Sequence, residues 1–280
     1  MTQQRDQARA FQALHDAPEL LVLGNVWDVG SAILFERAGF KALGTTSAGM
    51  SYSLGYPDGK LTFDDLLRTV QCILKRVNVP LSVDLERGYG QTPEGVVQNV
   101  GQVIALGAVG VNLEDGQPHS HSLADLDAQC EVVAAVSALK TEFNIPFVLN
   151  ARTDAFWLNL GDQRANLASA IARAKAYVDA GADCVFVPGA LNAQTIRTLV
   201  QEIPVPLNVI AHPESPSLQQ LEHMGVARLS LGSVAVRAML GMTRQLAHDI
   251  AQTQSLAPLF VGQSRYNLPS YSATNQLFEV

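Results

Sequence analysis

Cysteine is scarce in this chain, and the three present, Cys72, Cys130 and Cys184, share no metal-ligand spacing. Cys184 falls in the apolar segment 183–187 and Cys72 in the middle of a helical pattern, so all three read as buried thiols without chemistry of their own. Charge is sparse too. Only 16% of the 280 residues are charged, the 19 Lys and Arg are scattered, and the formal net charge is −7. That leaves no basic patch for a phosphate backbone, and nucleic acid is not expected as a partner. No apolar run approaches the roughly 20 residues needed to span a bilayer, and the opening Met1-Thr-Gln-Gln-Arg-Asp6 is too polar for a signal peptide. No membrane partner is therefore expected, and the expected location is cytoplasmic. No G-x-G-x-x-G fingerprint follows the first apolar segment, which speaks against an open dinucleotide-binding sheet.

What is abundant is a repeating phrase: a helix end, a glycine, a short link, then an apolar strand. It occurs at Arg37-Ala-Gly39, Leu106-Gly107, Asp179-Ala-Gly181 and His223-Met-Gly225. Glycine past a helix end takes the left-handed conformation without a Cβ clash. Other strands are entered through proline, at Val79-Pro80, Ile145-Pro146 and Val205-Pro206. The pattern predicts eight strands, near 20–24, 42–46, 79–84, 109–113, 146–150, 183–187, 206–210 and 227–231. Between them run helical stripes such as Leu66, Val70, Ile73, Val77 and Leu167, Ile171, Ala174, Val178. Eight short apolar strands alternating with helices imply an α/β fold, a (β/α)8 TIM barrel. Residues 1–256 would form this single domain, with an extra helix at 4–15. A tail at 257–280, unable to form a core of its own, would pack on the barrel or on a neighbouring subunit.

In such barrels chemistry sits at the C-terminal ends of the strands, and polar residues cluster there. The ends read Asn25-Val-Trp27-Asp28, Thr45-Thr-Ser47-Ala-Gly49, Asp84-Leu-Glu86, Asn112-Leu-Glu114-Asp115, Asn150-Ala-Arg152-Thr-Asp154, Pro188-Gly189, Asn208 and Leu231-Gly-Ser233. Asp84, Glu86 and Glu114 would share one small volume, where three carboxylates repel unless a cation stands among them. Mg²⁺, or alternatively Mn²⁺, suits oxygen ligands of this kind. Arg152 reads either as the partner of Glu114 or Asp154 or as a fork for a substrate carboxylate or phosphonate. Ser47-Ala48-Gly49 reads either as a plain turn or as backbone N–H groups offered to an anion. His119 and His121, two residues apart in a loop, fit solvated side chains better than zinc ligands.

Taken in order, Gly24-Asn-Val-Trp-Asp28, Thr46-Ser-Ala-Gly49, Gly55-Tyr-Pro-Asp58, Asp84-Leu-Glu-Arg-Gly-Tyr-Gly90, Asn112-Leu-Glu-Asp115 and Asn150-Ala-Arg-Thr-Asp154 resemble the isocitrate lyase and phosphoenolpyruvate mutase superfamily. The resemblance implies a Mg²⁺-dependent barrel acting on small 2-oxo or 2-hydroxy acids through a pyruvate-like enolate. It also implies a homotetramer, a dimer of dimers whose last helices are exchanged. By position, Asp84 would bind the metal directly, with Glu86 and Glu114 holding its water. Ser47, Ala48, Gly49, Trp27, Asn208 and Arg152 would bind the carboxylate substrate, and Arg152, Asp58 and Glu114 would act in catalysis.

The departures narrow the branch. The lyases' Lys-Lys-Cys-Gly-His loop is replaced by Asp115-Gly-Gln-Pro-His-Ser-His-Ser122, and the mutase branch's histidine by Pro188. Glu86 stands where aspartate is usual. The expected activity is a lyase or decarboxylase on a small 2-oxo dicarboxylate. Oxaloacetate decarboxylation asks least of the site, because CO₂ leaves without an acid at the leaving group. Cleavage of a substituted malate would need a proton from His119, His121 or Tyr52. The alternatives are a phosphonate enzyme and a non-catalytic 2-oxo acid binding protein.

Overall fold

A computed structural model describes residues 2–117, 120–260 and 269–279. Eight parallel strands close into a barrel: β1 (Leu21–Val26), β2 (Leu43–Thr45), β3 (Leu81–Asp84), β4 (Gly110–Glu114), β7 (Val148–Arg152), β8 (Cys184–Phe186), β9 (Leu207–Ile210) and β10 (Arg228–Ser230). The pair β5 (Gly116–Gln117) and β6 (Ser122–Leu123) forms a small antiparallel hairpin after β4, which the sequence pattern did not suggest. The helices are α1 (Thr2–Asp16), α2 (Val29–Arg37), α3 (Ser47–Ser53), α4 (Phe63–Leu74), α5 (Pro93–Leu106), α6 (Leu126–Phe143), α7 (Gln163–Asp179), α8 (Ala193–Glu202), α9 (Leu218–His223), α10 (Val234–Thr253), α11 (Ala257–Phe260) and α12 (Tyr271–Gln276).

Capping starts the helices where the strand ends require them. Asp28, Thr46, Thr62, Thr92, Asp125, Asp162, Asn192 and Ser217 each accept the amide of the third helical residue through the side chain. Each helix then turns an apolar stripe to the sheet. On α4 the buried face is Leu66, Val70 and Ile73, as its spacing predicts. Cys72 lies between them and faces outward, so it is exposed rather than buried; Cys130 is half-buried and Cys184 buried. On α7 the most buried line is Asn166, Ala170, Ala174 and Tyr177; of the stripe expected at Leu167, Ile171, Ala174 and Val178, Ala174 is fully buried and the other three are half-buried against the core, so the face is rotated by less than one residue. The rotation has a polar cause: Asn166 bonds the loop at Gly161, and the Tyr177 hydroxyl reaches Asp115.

Helix α1 closes the N-terminal end of the barrel. Phe11 is fully buried over Gly110, where a Cβ would stand 2.7 Å from its ring. Gln4 donates to the Ile104 and Ala108 carbonyls at 2.7 and 3.0 Å. At the other end of the chain, Arg37 and Arg76 donate to the Gln276 and Phe278 carbonyls at 3.0 and 3.1 Å, laying the last residues on the barrel's outer helices. No helix among the described residues is long and apolar enough to cross a membrane.

Candidate active site

The last inward residues of β3, β4 and β7 are Asp84, Glu114 and Arg152, and they meet in a cavity of about 240 Å³ at the C-terminal end of the barrel. Ser47, Ala48, Asp58, Glu86, Asp154, Trp157 and Phe186 complete its wall. The barrel's interior supplies the space. Gly44 has no side chain to turn inward, and Ser82 and Ser230 are small where a TIM barrel usually carries Val, Ile or Leu.

Asp84 is the most heavily bonded acid of the cavity. One oxygen accepts from the Ser47 amide at 3.1 Å and the Ser47 hydroxyl at 2.8 Å; the other accepts from Asn112 Nδ2 at 2.9 Å. Its own amide donates to Thr45 Oγ1 at 2.8 Å. Just beyond the strand, Glu86 takes a left-handed backbone, φ 47°, which sets its carbonyl against the Glu114 amide at 2.8 Å. A non-glycine residue there carries strain of the kind found at functional sites. Burial pushes the Glu86 carboxyl up to about 7, against the bond donated by the Tyr89 hydroxyl at 2.7 Å.

Arg152 pairs with both of the carboxylates expected from sequence, Glu114 and Asp154. Its Nη1 lies 2.7 Å from Glu114 Oε2, its Nε lies 2.6 Å from Asp154 Oδ1, and the guanidinium carbon lies over the Trp157 and Phe186 rings at 5.7 and 5.6 Å from their centroids. Burial raises the Glu114 and Asp154 carboxyls, with Arg152 opposing. Asp154 is held from behind. Its amide donates to Asp115 Oδ1 at 2.8 Å, while Asp115 Oδ2 takes the Tyr177 hydroxyl at 2.6 Å and Arg173 at 3.1 Å. Burial, then the charge of Asp84, also raises Asp58.

Of the expected site residues, Asp84, Glu86, Glu114, Arg152, Asp58, Ser47 and Ala48 line this one cavity, whereas Trp27, Gly49 and Asn208 do not. The Gly49 amide is occupied by Thr46 Oγ1 at 3.3 Å, and the Asn208 side chain lies within the barrel interior, accepting from Ser230 at 3.1 Å. Among the described residues no three His, Cys, Asp or Glu side chains converge closely enough to chelate an ion directly. A site of one direct carboxylate with others acting through water is still compatible with these oxygens, because Mg²⁺ keeps several waters. The carboxyl groups are raised first by burial and then by one another's charge, and a cation among them would oppose both. Of the proton donors considered from sequence, His121 and Tyr52 lie off the cavity, and His119 lies outside the described residues. Arg228, which line-by-line reading of strand ends passes over, stands in the cavity floor.

Residues 11–251 match the phosphoenolpyruvate phosphomutase family. The chain belongs to that family. It is 36% identical over 247 residues to an uncharacterized protein of Mycobacterium tuberculosis H37Rv, covering 88% of this chain and 91% of that one. It is 29% identical to the 2-methylisocitrate lyase of Escherichia coli K12, over 86% and 82% of the two chains. It is also 29% identical to the oxaloacetate decarboxylase of Paraburkholderia xenovorans LB400, over 75% and 70%. Among solved structures, a lyase/mutase-type protein of Burkholderia cenocepacia J2315 superposes with a TM-score of 0.89 at 32% identity, covering 99% and 97%. A phosphonopyruvate hydrolase bound to oxalate and Mg²⁺ superposes with a TM-score of 0.82 at 25% identity, covering 97% and 94%. The family's members are lyases and mutases that act on pyruvate-like substrates, and this chain is a member of that enzyme superfamily.

Proposed function

We propose that this protein is a Mg²⁺-dependent carbon–carbon lyase on a small 2-oxo dicarboxylate, with oxaloacetate decarboxylation as its simplest reaction. The supporting observation is the make-up of the cavity. It pairs a buried guanidinium with several carboxylates, and among the described residues no Cys, Lys or His lines it. A reaction whose leaving group needs a proton from one of those side chains is thereby disfavoured, whereas loss of CO₂ needs none. The volume, below the roughly 300 Å³ at which drug-sized pockets begin, suits a substrate of few atoms.

Asp84 would hold the ion directly, with Glu86 and Glu114 acting through its water, and the ion would supply charge withdrawal from the 2-oxo carboxylate. Ser47 and Ala48 face the same space and would orient that carboxylate. Arg152 would take the distal carboxylate in two-point fashion, exchanging its contact with Glu114 for one with substrate. Trp157 and Phe186 lie within cation–π distance of the guanidinium and would help to hold its plane.

Asp58 supports a second reading, C–P bond chemistry, since an acid from that loop enters the same cavity. Pyruvate and phosphate release from oxaloacetate, phosphonopyruvate and 2-methylisocitrate, with Mg²⁺ and with EDTA, tests both. Metal-dependent pyruvate from oxaloacetate, lost in Asp84→Ala, is the expected result. Phosphate release would move the protein to the phosphonate branch, and binding of 2-oxo acids without turnover would make it a binding protein.

We also infer that α10 packs against a second copy in a homotetramer. Of its twenty residues only Val236 is buried, while Val234, Met239, Leu240 and Met242 are exposed. Such an apolar face calls for a partner. A monomeric mass by light scattering would remove this inference.

A further inference from the structure

Arg228 is 3% exposed, forms no ion pair among the described residues, and leaves its Nη1 without a partner. A guanidinium withdrawn from water at this depth costs several kcal/mol unless something answers its charge. Burial indeed lowers it to about 10. Its Nε donates to Ser230 Oγ at 3.4 Å, and the Ser230 hydroxyl donates to Asn208 Oδ1 at 3.1 Å. On the other side of the barrel, Asn150 Nδ2 donates to Asn112 Oδ1 at 3.0 Å, and Asn112 Nδ2 donates to Asp84 Oδ1 at 2.9 Å.

These two runs end on complementary atoms. Asn208 Nδ2 is a buried donor without a partner, and Asn150 Oδ1 is a buried acceptor without one. The assignment of the amide atoms follows from the ends of the chain. A carboxylate only accepts, so Asn112 turns its NH₂ to Asp84 and its oxygen to Asn150. A guanidinium only donates, so Ser230 passes a hydrogen to the oxygen of Asn208. Asn150 and Asn208 stand on β7 and β9, on either side of β8, with Asn150 in register with Cys184 and Asn208 with Phe186. Two strand spacings, roughly 10 Å, less the reach of two short side chains, leave room for one bridging water.

We propose that Arg228 is a positioning residue for Asp84, acting through a belt of Ser230, Asn208, one bridging water, Asn150 and Asn112 inside the barrel. Every link points from donor to acceptor in one sense, from the cation to the carboxylate, and such chains strengthen link by link. The belt engages Asp84 Oδ1, which also takes the Glu86 amide at 3.4 Å, while Ser47 holds Oδ2, so the carboxylate plane is fixed from both sides. This role rests on the reading of Asp84 as the ligand of a divalent cation.

Mn²⁺ binding to the purified protein, followed by electron paramagnetic resonance, tests it in Arg228→Met and Asn150→Leu. Outer-shell changes of this kind cost roughly 10- to 100-fold in metal affinity. Both single variants are expected to weaken Mn²⁺ by such a factor, the double variant no further, and Arg228→Lys to recover much of the loss. If Arg228 acted only as a nearby positive charge, its removal would tighten Mn²⁺ binding, so unchanged or tighter binding in Arg228→Met overturns the proposal. Asn150→Leu leaves the cation in place and serves if Arg228→Met fails to fold. A wild-type protein that binds no Mn²⁺ would sink the metal reading instead. The belt is then judged by crystal structures of wild type and Asn150→Leu: a water joining Asn150 to Asn208, and an Asn112 that leaves Asp84 in the variant, support it. An unbridged pair or an unmoved Asn112 overturns it.

Discussion

Arg152 Nη1 and Glu114 Oε2 lie 2.7 Å apart on neighbouring strands whose Cα atoms are in direct register. The pair is walled by aromatic rings and shares its cation with Asp154. Replacing Arg152 by Met would leave two buried carboxylates without their counter-charge, a loss of about 3–5 kcal/mol in stability. Arg152→Lys keeps the charge but not the fork, and is expected to fold while kcat/KM falls roughly 100-fold or more. Thermal melting beside steady-state kinetics separates the two effects; a lysine variant with ordinary kinetics would remove Arg152 from the substrate site.

Gly116 backs the same cluster. A Cβ there would overlap Asp154 Oδ2. Gly116→Ala is expected to push Asp154 off the Arg152 Nε, lowering kcat/KM while circular dichroism stays that of the wild type.

Tyr177 donates to the buried Asp115 at 2.6 Å, and Asp115 in turn holds the amide of Asp154. Tyr177→Phe keeps the ring and removes the donor. A loss of about 1–3 kcal/mol is expected in urea unfolding, while Tyr89→Phe, whose hydroxyl meets the less deeply buried Glu86, should lose less.

His15 gives the fold an acid limit. Burial lowers its imidazole to about 4, with the charge of Arg228 adding to the effect. The unfolded chain takes up this proton near the ordinary value of about 6.5, so between about 6.5 and 4 the unfolded state binds more protons and stability falls as pH falls. Glu86 acts with the opposite sign: raised to about 7, it binds its proton more tightly when folded, so metal-free protein loses stability as pH rises from about 4.5 to 7. The two windows overlap between about 4.5 and 6.5 with opposite signs, so wild-type melting curves in EDTA should show only their difference there, and single variants separate them. His15→Gln should expose the loss of stability with rising pH that Glu86 causes, and Glu86→Gln the gain with rising pH that His15 causes.

Much of the architecture is written in local signals. The strands could be placed because Gly or Pro marks seven of the eight entries, and α4 because Leu66, Val70 and Ile73 repeat at helical spacing. The cavity was legible where polar residues end strands, as with Asp84, Glu114 and Arg152. The stripe of α7 was legible at Leu167, Ile171, Ala174 and Val178, which all pack on the core, but not that its most buried line also runs through Asn166 and Tyr177, because hydrophobic spacing is blind to their polar bonds. Trp27 and Gly49 stand near cavity residues in sequence without lining the cavity, and Asn208 points inward but lies deeper in the barrel than Ile210, which does line it. Arg228 went unnoticed because it begins its strand rather than ending it. The available signal was a charge, then a serine two residues on, inside an otherwise apolar segment; alternation along a strand sends both inward.

The bonds that hold α1 have long spans in sequence. Gln4 reaches 100 and 104 residues ahead, Gln7 reaches Asn78 and Arg5 reaches Asn144. Helix α1 is therefore synthesised before the segments it docks on, and its seating over Gly110 waits until half the barrel exists. Until then Phe11 and the mouth it covers are both exposed, so the newborn chain is at its most aggregation-prone while its own stopper is waiting.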